Sequence, residues 1–186
     1  MKKTLITIAA LLAAAASYAQ GTVNFTTKSG TAVDAPVLYQ PASGAPVTAD
    51  ANFLGQLFWS NPGANTWSAL GSPVPFRTGS GQGYITAGGV QTVPTVAGGG
   101  KVDILFSGWV SQIGASSPGA GSGPGYNSSI LAGLTLGGQG ADPSVPPATP
   151  ALLAGLAGFT IPTVPEPSFA ALGLLGAGLL LIRRKK

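Results

Sequence analysis

The sequence contains no histidine and no cysteine, and its only glutamate is Glu166. Without histidine the chain lacks the general base of Ser-His-Asp and Cys-His hydrolases, so both mechanisms are excluded. Zinc sites built from histidine and cysteine are excluded for the same reason. Because there is no cysteine there are no disulfides, and a domain of this length must be held together by its hydrophobic core.

Charged residues are also scarce, and most of the basic ones lie at the two ends of the chain. The whole sequence carries a formal net charge of +4. A nucleic-acid-binding domain needs a basic surface, and the region between residues 20 and 164 does not supply one. We therefore predict no nucleic acid partner. This region contains three cations and four anions, a net charge of −1: Lys28, Arg77 and Lys101 against Asp34, Asp50, Asp103 and Asp142.

The aspartates leave one catalytic alternative, a glycosidase that works with two carboxylates. Asp34 and Asp103 are its candidate pair, although no local spacing joins them. Isolated acids in turns and at strand edges more often have structural or solvated roles. A calcium site needs several clustered oxygen ligands, whereas Asp50 and Asp142 stand alone. We predict a protein that is not an enzyme, with no metal site and no cofactor.

The N-terminus has the pattern of a secretory signal peptide over residues 1–19. Two lysines follow the first residue, an apolar run covers residues 5–16, and a small-x-small site ends at Ala19. We predict cleavage between Ala19 and Gln20, with the Sec translocon and signal peptidase as partners. The alternative is a retained N-terminal anchor, but the apolar run is short for a membrane span.

The C-terminus combines an apolar segment with a basic end. Residues 169–182 have no charged or strongly polar side chain, and as a helix they would be about 21 Å long. A hydrocarbon core is about 30 Å thick, so a transmembrane helix here needs local thinning or snorkelling. A soluble core helix, the alternative, would need a polar face. The basic cluster that marks the cytoplasmic side consists of Arg183, Arg184, Lys185 and Lys186.

The motif Pro165-Glu166-Pro167 stands directly before this segment. Proline fixes its own φ and keeps the preceding residue extended. The motif is therefore predicted to be a stiff, extended peptide that carries one carboxylate at the membrane surface, a shape that a protease or transpeptidase cleft accepts readily. The alternative is an ordinary proline-rich linker beside the membrane.

The order of this motif, the apolar segment and the basic end resembles the PEP-CTERM sorting domain. The resemblance covers about the last twenty-two residues and implies recognition by a membrane-embedded exosortase that cleaves near the motif. It also implies export in a Gram-negative bacterium, transient anchoring in the lipid bilayer, and a final place at the cell surface or in an extracellular matrix with exopolysaccharide. It implies nothing about the activity of the exported domain.

Residues 20–162 are predicted to form one all-β domain, ahead of a sorting signal at 163–186. Short apolar runs alternate with turn-rich stretches, and no long amphipathic helix is present, which favours a β-sandwich of jelly-roll or immunoglobulin-like topology. Residues 52–60 are apolar on both faces, which indicates a central strand. A flexible loop is expected at 114–125 and one helical turn at 151–156. The predicted strands cover residues 21–27, 33–39 with an interruption at Pro36, 52–60, 67–70, 84–86, 90–93, 102–110, 129–136 and 158–161.

Several short pieces are similar to a recurring group of small exported PEP-CTERM proteins. The similarity implies a β-rich domain without an assigned activity. The pieces are residues 21–25, 33–37, 76–79 with Gly83 and Tyr84, and 158–161.

Aromatic side chains are the one feature of the exported domain that indicates binding. Tryptophan and tyrosine stack on sugar rings when they are exposed together, so Trp109, Trp67 and Tyr84 are the candidate glycan-stacking residues. The alternative is that they are core aromatics of the sandwich. Trp109 is notable because strand alternation places it on the face opposite Phe106.

Overall fold

The computed structural model describes residues 20–114, 116–142 and 144–164, and these residues form an all-β fold, as predicted. Two single-turn 3₁₀ helices accompany the strands. The strands are β1 (Gly21–Asn24), β2 (Lys28–Ser29), β3 (Val33–Asp34), β4 (Val37–Tyr39), β5 (Val47–Thr48), β6 (Phe53–Ser60), β7 (Ser68–Pro75), β8 (Val90–Val93), β9 (Lys101–Val110), β10 (Tyr126–Thr135), β11 (Gly137–Gly138) and β12 (Phe159–Ile161). The helices are η1 (Gly79–Gly81) and η2 (Ser111–Ile113).

The predicted signal peptide at 1–19 and the predicted transmembrane helix at 169–182 lie outside the described residues. Within the described ranges, the helices fall short of the length and apolar character that a membrane crossing requires.

The largest sheet has four antiparallel strands in the order β10-β9-β6-β7. Two three-stranded sheets follow the orders β11-β1-β8 and β12-β4-β5, and β2 pairs with β3. The β12–β4 pair is parallel, with Phe159 beside Val37 and Ile161 beside Tyr39. The chain therefore brings its last described strand back to a strand formed near the beginning of the domain.

Strands β6 and β9 occupy the centre of the large sheet, and for β6 this confirms the central strand predicted at residues 52–60. They pair over eight residues, from Phe53 beside Val110 to Ser60 beside Asp103. In β9 every residue from Ile104 to Val110 is buried. Both faces of this strand are therefore covered by other parts of the chain.

The main core lies on the face of β9 that carries Val102, Ile104 and Phe106, all of them fully buried. Phe106 is the central aromatic residue. Its ring centroid lies 5.9 Å from that of Phe25, 6.2 Å from that of Phe76 and 5.4 Å from that of Phe159. These partners come from three separate segments, so one side chain joins the large sheet to the rest of the domain. Burying a phenylalanine contributes about 2–3 kcal/mol.

The predicted helical turn at 151–156 is wrong. The N–H of Ala151 donates to Thr22 (3.1 Å) and its carbonyl accepts from Asn24 (2.8 Å), so Ala151 forms a parallel bridge with β1. Gly155 has φ +88°, which is incompatible with a right-handed helix. Ala151 therefore pairs with β1, while the N–H of Leu156 donates to the carbonyl of Leu153 (3.0 Å) in a turn.

Residues 84–86, predicted as a strand, have no regular strand pairing. Thr27 accounts for this. Its N–H donates to the carbonyl of Ile85 (2.8 Å), but the N–H of Ile85 donates to the Thr27 hydroxyl (2.9 Å). The Thr27 carbonyl accepts from Ala35 instead (2.9 Å). The Thr27 hydroxyl accepts the hydrogen bond that a backbone carbonyl would accept in a regular strand pair, so regular pairing ends at Ile85.

The interruption expected at Pro36 is confirmed, since β3 ends before it and β4 begins after it. Strand β10 begins at Tyr126, three residues earlier than the predicted strand at 129. Strand β7 joins the run predicted at 67–70 to the residues up to Pro75. It tolerates two prolines because it is an edge strand of the sheet.

Candidate functional site

The second face of the large sheet is where the structure departs most from the sequence-based expectation. Leu105, Ser107 and Trp109 alternate with the core residues of β9 and point to this face, and all three are fully buried. Trp109 therefore has no exposed ring on which a sugar could stack. The prediction of Trp109 as a glycan-stacking residue is wrong, because a loop covers this face.

The loop that covers this face consists of residues 111–121, all of which the structure describes except residue 115. It overlaps the stretch at 114–125 that was predicted as a flexible loop. The indole N–H of Trp109 donates to the carbonyl of Gly114 (3.0 Å). The hydroxyl of Ser117 donates to that of Ser107 (3.1 Å), and the N–H of Gly119 donates back to Ser117 (3.1 Å). We call residues 111–121 the cover loop. The side chains of Trp109 and Ser107 in β9 therefore hold the cover loop on the sheet through hydrogen bonds.

Strand β7, which pairs with β6 at the edge of the large sheet, has an irregularity in that pairing. Gly55 pairs with Val74 and Leu57 pairs with Leu70, so β7 has two more residues than β6 between the same pairs. Gln56 lies opposite this bulge and is 7% exposed. Its side-chain Nε2 donates to the carbonyl of Gly71 (2.7 Å). The amide of Gln56 therefore satisfies a carbonyl that the irregular ladder leaves without a strand partner.

An open groove of about 330 Å³ lies between the cover loop and the bulge. Strand β6, which lies between β9 and β7, forms its floor. Among the described residues, no charged side chain lines it. We call this feature the neutral groove; its lining residues are Gln56, Phe58, Ala69, Pro73, Ser116 and Ser117.

The neutral groove combines apolar surfaces with uncharged hydrogen-bonding groups. Phe58 is partly exposed there, because its neighbour on β7 is the small Ala69. Pro73 adds a second apolar surface, also partly exposed. Gln56 and the serines supply amide and hydroxyl groups. Such a set can bind an uncharged polar ligand, and it carries no nucleophile with an attached base and no pair of carboxylates.

Tyr84 belongs to a separate surface cluster. Its hydroxyl donates to Asp34 (2.8 Å), and the Lys28 ammonium lies 5.3 Å from the centroid of its ring. Lys28 and Asp34 form an ion pair at 2.9 Å. One face of the Tyr84 ring is therefore next to a cation, and the cluster ties β2 and β3 to the segment after η1.

The ionisation of this cluster follows from its contacts. The hydrogen bond from Lys28, and then that from Tyr84, holds the pKa of Asp34 below its usual value. The same carboxylate raises the pKa of Lys28 through their hydrogen bond. It also raises the pKa of Tyr84, because it accepts the phenol proton in a hydrogen bond.

The two aspartates proposed as a catalytic pair have different partners. Asp34 is engaged by Lys28 and Tyr84, as described above. Asp103 accepts two backbone N–H groups through its two carboxylate oxygens, from Gly63 and from Gly133, both at 2.8 Å. Each carboxylate therefore has a structural role of its own. In the described part of the chain no three acidic residues come together as a potential metal site.

The other aspartates stabilise turns. Asp50 accepts the N–H of Asn52 (2.9 Å). Asp142 accepts the hydroxyl (2.7 Å) and the N–H (2.9 Å) of Ser144, and these bonds, the hydroxyl first, lower the pKa of Asp142. Both are local turns in which the acid bonds the residue two positions on.

Among the remaining predicted site residues, Trp67 is partly exposed just before β7, and Gln20 is the first described residue and is exposed. Their predicted roles stay predictions, as does that of Tyr84. The sorting motif Pro165-Glu166-Pro167, the cleavage-site residue Ala19 and the basic residues 183–186 lie outside the described residues.

The described chain ends in a well-packed position. The carbonyl of Pro162 accepts the N–H of Gly125 (2.9 Å), and the hydroxyl of Thr163 lies 3.5 Å from that of Tyr39. Val164 packs against the core cluster and is partly buried. The fold thus fixes the chain up to the residue that precedes the proline motif.

The groove residues were not singled out in the sequence. One signal was available: Gln56 is a polar residue within a strand that is apolar on both faces, which indicates a buried amide with a specific partner. Comparison with known proteins adds no further residue, since no family model, curated protein or solved structure matches the chain. The site is therefore defined by its own geometry.

Proposed function

We propose that this chain is a non-enzymatic surface or extracellular-matrix protein, exported through Sec and sorted by residues 163–186. The observation that supports this proposal is the docking of Pro162, Thr163 and Val164 on the domain. Folded structure reaches the residue directly before the proline motif. This is the arrangement expected of a folded passenger that carries a separate C-terminal sorting signal.

The proposed partners follow from that signal. A membrane-embedded exosortase would recognise Pro165-Glu166-Pro167 while residues 169–182 hold the protein in the lipid bilayer. Only residues 165–168 separate the folded domain from the apolar segment, a reach of about 13 Å when extended. The domain would therefore be held close to the membrane until it is released to the surface or to the exopolysaccharide matrix.

We also propose a single β-sandwich as the finer architecture. The four-stranded sheet would form one layer, and the sheets built on β1 and β4 the other. The edge contact between Phe25 and Phe106 and the packing of Phe159 against Phe106 support this arrangement. The jelly-roll and immunoglobulin-like topologies both remain open.

The sorting proposal is tested by expressing the full chain and a variant that lacks residues 165–186 in a bacterium that has an exosortase. The full chain should reach the surface with a shortened C-terminus, and the truncated chain should not be sorted. Glu166→Gln is a finer variant, because it removes only the charge of the motif. Mass spectrometry of the mature C-terminus identifies the processed bond. A full chain that stays in the cytosol with both ends uncut would refute the proposal.

The second candidate function is carbohydrate binding within an exopolysaccharide matrix. The observation that favours it is the neutral groove, where a partly exposed Phe58 lies beside a fixed amide and two serines. Trp67 and Tyr84 remain the sequence-based candidates for such binding. Binding to soluble polysaccharides is the test, and a folded protein that binds none of them would remove this candidate.

A further inference from the structure

We propose that the neutral groove is a saccharide-binding site that takes one or two units of an uncharged polysaccharide chain. This proposal rests on the second candidate function, carbohydrate binding, and assigns that binding to the neutral groove. It does not depend on Trp109, Trp67 or Tyr84.

The floor supplies an apolar platform. Phe58 lies on β6 between Leu105 of β9, which is fully buried, and Ala69 of β7, which is exposed. The short side chain of Ala69 leaves the Phe58 ring open toward the edge of the sheet. Pro73 adds an apolar surface from the bulge. The C–H faces of a sugar ring pack on such surfaces, which are apolar and rigid.

The polar groups are fixed before a ligand arrives. Gln56 Nε2 is held by the carbonyl of Gly71, so the orientation of the whole amide is set. Among the described residues no hydrogen bond reaches Gln56 Oε1, and this oxygen belongs to a side chain that is 7% exposed and lines the groove. An oxygen acceptor that lines the groove can accept a hydrogen bond from the hydroxyl of a ligand. Because the amide is already ordered, little entropy is lost on binding.

The cover loop supplies the opposite wall. Ser117 is anchored by its hydrogen bond to Ser107, and Ser116, next to it, is exposed in the groove. Its hydroxyl can donate and accept hydrogen bonds. The loop is in turn fastened by Trp109 at Gly114. The buried tryptophan therefore supports the proposed site from below and does not stack on the ligand itself.

Charge and shape narrow the ligand class. The described residues of the lining include no cation, so they offer an anionic polymer no partner for its carboxylates or sulfates. The volume of about 330 Å³ is at the small end of ligand sites, which run from about 300 to 1,000 Å³. The groove is open, so a longer chain can continue beyond it. These features together favour a neutral glycan.

The experiment is affinity electrophoresis of the purified full chain in gels that contain dextran, a galactomannan or alginate. We expect retardation by at least one of the two neutral polymers and none by alginate. Ala69→Trp places a bulky side chain at an exposed position of the groove without removing a core contact, and it should weaken binding about tenfold or more. Phe58→Ala should do the same, with thermal unfolding used to confirm that the variant is folded.

Val47→Ala is the matched control, because it removes an exposed apolar side chain of β5, which belongs to a different sheet from the groove, and it should leave binding unchanged. If the parent protein binds a neutral polymer but Ala69→Trp binds equally well, the site is wrong while the binding function stands. If the folded parent binds only alginate, the proposed site fails while the second candidate function stands. If it binds none of the three polymers, the site and the second candidate function both fail. Binding of a proline-rich peptide in place of any polysaccharide would also overturn the proposal.

Discussion

The indole nitrogen of Trp109 donates a 3.0 Å hydrogen bond to the carbonyl oxygen of Gly114, and this bond holds the cover loop against the second face of the large sheet. Trp109 is fully buried as a result. Trp109, which was predicted from the sequence to stack on a sugar, therefore holds the cover loop in place.

The first prediction concerns Trp109→Phe. Phenylalanine keeps most of the packing but removes the indole donor, so the carbonyl of Gly114 loses its partner. We expect a loss of about 1–2 kcal/mol in the free energy of unfolding, measured by urea denaturation followed by circular dichroism. Trp67→Phe, at a partly exposed position, is the control and should stay within about 0.5 kcal/mol. Equal stability of the two variants would contradict the role of this hydrogen bond.

The second prediction concerns Asp103, whose carboxylate accepts the N–H groups of Gly63 and Gly133. Asp103→Ala leaves both donors without this acceptor and should cost about 2 kcal/mol in unfolding free energy. Amide hydrogen exchange should accelerate at Gly63 and Gly133. Asp50→Ala, which removes a single local turn contact, should leave exchange at these two glycines unchanged. Slow exchange at both glycines in Asp103→Ala would show that the carboxylate does not hold them.

The third prediction concerns Gly158, which lies against Pro36 where β12 meets β4. A Cβ added at Gly158 would overlap the backbone carbonyl oxygen of Pro36, and backbone atoms cannot easily move aside. Gly158→Ala should cost about 3 kcal/mol in unfolding free energy, at the upper end of overpacking effects. At Gly140 the nearest atom to an added Cβ is 3.6 Å away, so Gly140→Ala should be neutral. Equal thermal stability of the two variants would disprove this steric argument.

The fourth prediction concerns the pH dependence of the Lys28–Asp34–Tyr84 cluster. The pKa of Asp34 is lowered in the folded state, so its contribution to stability is present above the unfolded pKa of about 4 and is lost as the pH falls through the folded value. The pKa values of Lys28 and Tyr84 are raised, so their contributions are present below about pH 10 and are lost as the pH rises through the folded values.

Asp34→Asn removes the negative charge that stabilises the charged form of Lys28 and the protonated form of Tyr84. The melting temperature of the parent protein should exceed that of Asp34→Asn between about pH 4 and pH 10, and the difference should shrink on both sides of this window. Because the ion pair is exposed, the difference should be small and should decrease further in high salt. A difference that is constant from pH 2 to pH 11 would contradict the prediction.

The parts of the fold that could be predicted are those set by the local pattern of apolar residues and prolines along the chain. Residues 52–60 are apolar on both faces, and they form the central strand β6 because a side chain on either face of such a strand must be buried. Pro36 interrupted its strand as expected, since it cannot donate to a ladder. The groove was not predictable in this way. It depends on a bulge in β7 and on a loop of glycine and serine that has no hydrophobic period.

The sequence by itself determined the all-β class, the central strand at residues 52–60 and the alternation that places Trp109 opposite Phe106. It also carries the signals proposed for export and sorting. Only the tertiary structure decided that a loop covers Trp109, that Gln56 satisfies Gly71, and that Ala151 pairs with β1 where a helical turn was expected. The physical reason is that alternation decides which side chains share a face, whereas what covers that face comes from residues distant in the chain.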